Sequence, residues 1–462
     1  MDVDKSLVEI ISWLFEGDPL AEAAVETRAR QLCLDTLGCM IAGLAKPEPQ
    51  AMVAAMAALE PVSGTGAVTL PGATAPLSIG SAAYIAGLSA CWDEACEGLP
   101  RAHGRPGLHA FAATFAIGMG GMGGMGDTGG TGRLGGRQHS LGETLAALVT
   151  GFEVGGRMGE YLRIRPGMHV DGIWGTFGAT AGAARLLGHS AATTVSALQG
   201  TACQLPYSLY LPITQGATVR NAYVGEAARR GIFQAMAAAA GITTPTQGAV
   251  EAFDRSALAY DGPAKKLAPP GEWLISQGYL KPYAAVRHVH YGAQAAIDWR
   301  RQQANVDTRK IEALQLSIYG EAMTYCGNRA PTTPIQAQFS LSYGLAWALT
   351  AGDLGPDAYH DASLMDGEVR RLEALVVLTE ATDYTARNQR AARLTITYAD
   401  SKETVLVDAV PGEVDMPLPA DEVEAKFIRY VTPILGQACA NKMAQGILNA
   451  PLSSPLVGLL AI

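Results

Sequence analysis

Apolar residues recur at spacings of three and four along most of the first 250 positions, the repeat that lines one face of a helix. The N-terminal MDVDKSLVEIISWLFEG carries this pattern. It returns in AEAAVETRARQLCLDTLGCMIAGL, PLSIGSAAYIAGLSACW, SLGETLAALVTGFEVGGRMGEYL, TFGATAGAARLLG and EAARRGIFQAMAAAAG. Gly and Pro separate these segments, as expected of helix boundaries. Several are Ala/Gly-rich on every side, which predicts central helices buried all round.

Near residue 270 the texture changes. After LAPPGEW, which reads as a linker, apolar and polar positions alternate in IEALQLSIYG, LEALVVLTE, ARLTITYA and ETVLVDAV. Period two over such lengths predicts strands. Helical text is interleaved at GAQAAIDWRRQQ and FSLSYGLAWALTAG and resumes in DEVEAKFIRYVTPIL and NKMAQGILNA. The simplest architecture is mostly α: a large helical domain built from both chain ends (1–271 and 413–462), with an α+β lid inserted over 272–412.

Composition narrows the functional classes. With 462 residues, 48% hydrophobic and 17% charged, the chain can bury a large core. A net charge of -9, without a clustered basic footprint, argues against a nucleic-acid partner. Acids stand at the N-terminus where a signal peptide carries bases, and no eighteen-residue apolar run occurs, so we expect a cytoplasmic protein with no membrane span. Seven widely spaced cysteines without CxxC pairs read as reduced core thiols. The run GMGGMGGMGDTGGTGRLGG (118–136) follows a helix rather than a strand and ends in no GK[ST], so it reads as a flexible connector, not a phosphate loop.

Ionisable residues gather in four short pieces. WDEACEGLPRAHGRPG holds Asp93, Glu94, Glu97 and His103; GMHVDG holds His169 and Asp171; QGATVRNAYVGEAARRG holds Arg220; KPYAAVRHVHYG holds Lys281, Arg287, His288 and His290. Each has a plainer reading as a cap, a core histidine or a surface ion pair. The alternation at His288 and His290 reads as a strand with one histidine facing away from any site. Zinc, EF-hand and GxSxG patterns are absent, so neither a metal nor a serine nucleophile is expected.

The string GMHVDGIWGTFGATAGAARLLG resembles the glycine-rich segment of the MmgE/PrpD family, which includes 2-methylcitrate dehydratases, cis-aconitate decarboxylases and iminodisuccinate epimerase. The acidic cluster before His103, GATVRNAYVGEAARRGIF, LKPYAAVRHVH, APTTPIQAQFSLSYGLAWAL and ILNAPLSSPLV follow in matching order. The resemblance implies a homodimer with a metal-free, cofactor-free site between helical domain and lid, acting on a small carboxylate. It implies catalytic roles for Asp93 (or its neighbour Glu94), His103, His169 and Lys281. Substrate contacts are implied for Arg220, Glu97, Tyr325 and His290. Arg220 stands where relatives carry lysine; being permanently charged, it should bind a carboxylate rather than move a proton. Val286 replaces a histidine found in decarboxylases.

The family activities share one difficulty, the removal of a proton from carbon beside a carboxylate, and cations placed where enolate charge develops answer it. The expected function is a cofactor-independent lyase of a citrate- or aconitate-like polycarboxylate, by dehydration or decarboxylation, with His169, His103 or Asp93 as base. Epimerisation through the same carbanion and a catalytically silent organic-acid binder are the alternatives.

Overall fold

The computed structural model describes residues 3–64, 66–123, 135–255, 266–303, 305–399 and 401–461. The chain is mostly α. The predicted N-terminal segments form helices at Val3–Glu16, Ala23–Leu44, Ile79–Ala90, Leu141–Tyr161, Gly175–Leu186 and Ala222–Ala239. A further helix, Pro106–Gly120, ends where the glycine run starts. The connector expected over 118–136 lies largely outside the described residues, at 124–134.

Glycine lets three central helices approach at backbone distance. A Cβ on Gly178 would meet Gly151 O at 2.6 Å, and one on Gly182 would meet Thr114 at 2.7 Å, so the Gly/Ala face of Gly175–Leu186 packs directly onto Leu141–Tyr161 and Pro106–Gly120. The expectation of helices buried on every side is met by Pro106–Gly120, in which nearly every residue is buried. Ser140 and Glu143 form a reciprocal capping box at the start of Leu141–Tyr161.

The chain's end returns to its beginning. Helix Ala420–Leu435 packs on Ala23–Leu44, where a Cβ on Gly38 would come within 3.0 Å of Phe427. Buried Lys426 reaches across this seam to Asp35 Oδ1 at 2.6 Å.

Between these ends a four-stranded sheet has the order Val376–Glu380, Ile311–Ile318, Ala392–Tyr398, Ser401–Val407. The first pair is parallel (Leu314 opposite Val376) and the other two are antiparallel. Helix Arg287–Gln302 lies against the sheet, with Trp299 edge-on to Tyr398 and its indole N–H donating to Glu403 at 2.8 Å.

Three local readings need correction. Leu372–Leu375 end a helix, Gly367–Leu375, rather than opening the strand, because Asp366 caps that helix through two backbone N–H groups. The His288–His290 stretch begins the helix Arg287–Gln302 instead of a strand. Cys203 is exposed and Cys439 half-buried, so only five of the seven thiols belong to the core. No helix among the described residues is long and apolar enough to cross a membrane.

Candidate active site

A cavity of about 440 Å³ gathers residues from five separated stretches. Glu94, His103 and Arg105 come from the loop before Pro106–Gly120; Arg163, Arg165, His169 and Asp171 from the turn before Gly175–Leu186; Tyr210 and Arg220 from the next loops. Lys281, Val286, Arg287 and His288 line a further wall, with Glu321, Tyr325 and Arg390 from the sheet region.

Backbone pairing brings the first and fourth groups together. Gly98 and Tyr279 exchange hydrogen bonds of 3.0 and 2.8 Å, which sets the acidic loop beside Lys281. Only glycine fits at 98, since a Cβ there would sit 2.3 Å from the Tyr279 hydroxyl. Lys426 reinforces the junction by donating to Ala95 O and Lys281 O, both at 2.8 Å.

Glu94 is the electrostatic centre. One carboxylate oxygen accepts from Lys281 Nζ at 2.8 Å; the other accepts from Arg220 and from Arg105, the latter at 3.1 Å. Burial alone would raise this carboxyl, but Arg105, Arg220 and Lys281 together hold it well below the usual range. Its backbone takes φ 53°, a left-handed conformation uncommon for a side-chain-bearing residue. Glu94 faces the cavity, whereas Asp93 is buried away from it. Asp93 lies 3.7 Å from Lys46 with its carboxyl pushed up by burial, and the acidic site residue is its neighbour.

Asp171 pairs with Arg105 and is held down by that guanidinium despite burial, so its carboxylate orients rather than accepts protons. Its backbone N–H donates to His169 Nδ1 at 3.0 Å. Burial pushes His169 down to about 4, so the ring is neutral at pH 7 and, with Nδ1 occupied as an acceptor, carries its proton on Nε2. His169 thus offers the cavity an N–H donor. His109 holds the same turn: its Nδ1 lies 2.8 Å from Arg105 O and its Nε2 accepts from Gly172 N–H at 2.9 Å.

Arg220 is fully buried, donating to Cys91 O, Asn221 Oδ1 and Glu94, with Phe339 beneath its guanidinium at 5.4 Å. Lys281 Nζ donates to Glu94 O and Oε1, which leaves one of its three N–H groups for a ligand. His103 sits at the rim, exposed, at φ 53°. Tyr325 is half-exposed, and the Tyr210 hydroxyl donates to its carbonyl at 3.4 Å.

Two expected substrate contacts fall elsewhere. Glu97 is buried behind the cavity wall, where Oε1 caps Pro106–Gly120 by accepting from Leu108 N–H at 2.8 Å. His290 follows His288 by two helical positions and therefore points the opposite way. It packs edge-on to Tyr283, its Nε2 3.1 Å from Ala285 O and its Nδ1 3.2 Å from Arg287. The sequence reading overlooked Arg105, Glu321 and Arg390. Arg105 stands inside the acidic loop just before Pro106, but Arg101 shares that loop and nothing in the sequence singles out one of the two.

Seven cations and three carboxylates line this cavity in a chain of net charge -9. Arg287 is matched from outside by Glu413 at 3.1 Å, which still leaves a positive surplus. Such a hollow attracts a polyanion small enough to fit within it. No group of three or more His, Cys, Asp or Glu side chains suited to a metal ion occurs among the described residues.

Comparison with known proteins agrees with the order of these pieces. The MmgE/PrpD N-terminal domain matches residues 15–258 and the MmgE/PrpD C-terminal domain matches 283–449. The cis-aconitate decarboxylase-like protein oryM of Aspergillus oryzae is 24% identical over 344 residues, 69% of this chain and 70% of its own. The N-terminal match alone covers more than half the sequence, and the chain belongs to the MmgE/PrpD family.

Proposed function

We propose that this protein is a lyase that removes a proton from the carbon beside a carboxylate of a citrate- or aconitate-like acid and then expels water or carbon dioxide. The observation that carries this reading is the convergence of Arg105, Arg220, Lys281 and the His169 N–H on one cavity with surplus positive charge. These groups are fixed before substrate arrives, by Glu94, Asp171 and backbone carbonyls, so little reorganisation is needed when enolate charge develops. The chain's own cations supply the stabilisation, and the proposed reaction calls on no cofactor.

Arg220 serves as a carboxylate anchor, since a guanidinium does not give up its proton. Dehydration is the first reading, because Val286 places an apolar side chain where a decarboxylase histidine could stand. Decarboxylation is the second, favoured by the name of the Aspergillus relative. We assign residues 272–412 the role of a lid, supported by His288, Glu321, Tyr325 and Arg390 facing Glu94, His169 and Arg220 across the same hollow. We also propose a homodimer, supported by Tyr207, Leu209, Leu211 and Val219 standing exposed along one segment.

The test is an NMR screen of citrate, 2-methylcitrate, cis-aconitate and aminodicarboxylates, following binding and turnover. Turnover of a polycarboxylate to its unsaturated or decarboxylated product supports the reading. Binding without turnover would leave an organic-acid binder, and inversion at carbon alone would make the protein an epimerase.

A further inference from the structure

The cavity holds six groups able in principle to accept a proton: Glu94, Asp171, Glu321, His103, His169 and His288. Glu94 and Asp171 are committed to guanidinium and ammonium partners. Glu321 is paired with Arg390 at 3.2 Å. His169 presents N–H, not a lone pair. Of the two remaining imidazoles, His103 lies at the exposed rim.

His288 differs in being both sheltered and held. It is 9% exposed, its Nδ1 lies 2.6 Å from the Tyr319 hydroxyl, and its ring stacks on Tyr325 at 13° with centroids 6.1 Å apart. Tyr319 is itself buried and braced edge-on by Tyr291. With Nδ1 and one ring face occupied, the edge left for the cavity carries Nε2, for which the described residues provide no partner. When Nδ1–H donates to Tyr319 Oη, Nε2 bears the lone pair.

We propose that His288, held in place by Tyr319, is the general base of the reaction, with Nε2 as the accepting atom; this rests on the function proposed above. The C–H bond breaks as an N–H bond forms at Nε2, and the electron pair stays on carbon, spreading onto the carboxylate that faces Arg220 and Lys281. In a β-hydroxy acid the C–O bond then breaks with its pair on oxygen. The departing hydroxide takes the proton from Nε2, so one water leaves and neutral His288 is restored. Tyr319 is a positioning residue that holds the ring at Nδ1.

Burial and nearby Arg390 push His288 down to about 3 in the empty cavity, with Lys281 and His103 in the same sense and Glu321 opposed. A bound polycarboxylate brings negative charge against these cations and raises the ring's basicity, so the base becomes effective when substrate is present.

The experiment follows deuterium wash-in from D2O into citrate, 2-methylcitrate and cis-aconitate by NMR, with calorimetry of the same acids. His288→Gln should lose at least about 100-fold in exchange rate while its affinity stays within about threefold. His288→Ala should regain exchange on adding imidazole, which a purely structural defect would not do. Tyr319→Phe should shift the pH profile of exchange while KM holds. Full exchange in His288→Gln, or loss of binding in parallel with exchange, overturns the assignment of the base and leaves the lyase reading standing. A wild-type protein that neither binds nor exchanges any of these acids overturns both.

Discussion

Lys281 Nζ lies 2.8 Å from Glu94 Oε1, although 187 residues separate the two in sequence. This contact joins the acidic loop of the helical region to the segment that leads into the sheet region. Everything proposed for the site depends on its geometry, because Glu94 keeps three cations together that would otherwise repel one another.

Replacing Glu94 by Gln should therefore destabilise the protein strongly. Arg105, Arg220 and Lys281 would be left without their shared carboxylate, and an uncompensated buried charge costs about 3–5 kcal/mol. Thermal unfolding should show the loss, and added citrate should restore more of the melting temperature in Glu94→Gln than in wild type. Equal stabilisation of both would refute the idea that substrate carboxylate meets these cations.

Arg220→Lys should keep the charge but lose the fork that reaches Cys91 O, Asn221 and Glu94 together. We expect acid binding weakened by about 10-fold or more, equivalent to about 1.4 kcal/mol, measured by calorimetry. Unchanged affinity would remove Arg220 from the anchor role.

Glu97 provides a pH test of stability. Burial pushes its carboxyl from 4.5 to about 8, so the folded state binds more protons than the unfolded state between those values. Its contribution to stability therefore falls as pH rises from about 4.5 to about 8. Glu97→Gln, whose amide oxygen can still accept from Leu108 N–H, should flatten that part of the stability curve without abolishing turnover. A curve as steep as wild type would show that Glu97 is ionised in the fold.

Lys426→Met should act on both stability and turnover, although Lys426 is outside the cavity. It would strand Asp35 in the core and release Ala95 O and Lys281 O, the backbone groups beside Glu94 and at Lys281. We expect a fall of about 3–5 kcal/mol in unfolding free energy. The double variant Asp35→Leu/Lys426→Met should recover stability but not kcat.

Much of this arrangement was legible in the sequence, and the misses have local causes. Helical periodicity, with Gly and Pro as punctuation, located the central helices, and His103, His169, Arg220 and Lys281 do line one hollow. The choice between Asp93 and Glu94 was not legible, because it turns on which of two adjacent carboxyls faces the cavity. The placement of His290 failed for another reason: HVH alternates over only three residues, too short a window to separate a strand from the first turn of a helix. Glu97 was misplaced because a carboxyl that caps a helix eleven residues later looks the same in sequence as one that faces substrate. Arg105, Glu321 and Arg390 depend on contacts made across the fold, for which the sequence alone carried little sign.

The central claim is that this cavity lowers the barrier to losing a proton beside a carboxylate. The most direct measurement is the NMR signal of that hydrogen when wild-type protein is incubated in D2O with citrate, 2-methylcitrate or cis-aconitate. The account predicts that the signal of at least one acid decays far faster than in a protein-free control, and that Lys281→Met suppresses the decay. Retention of the signal in every acid, at concentrations where calorimetry shows the site occupied, would contradict it.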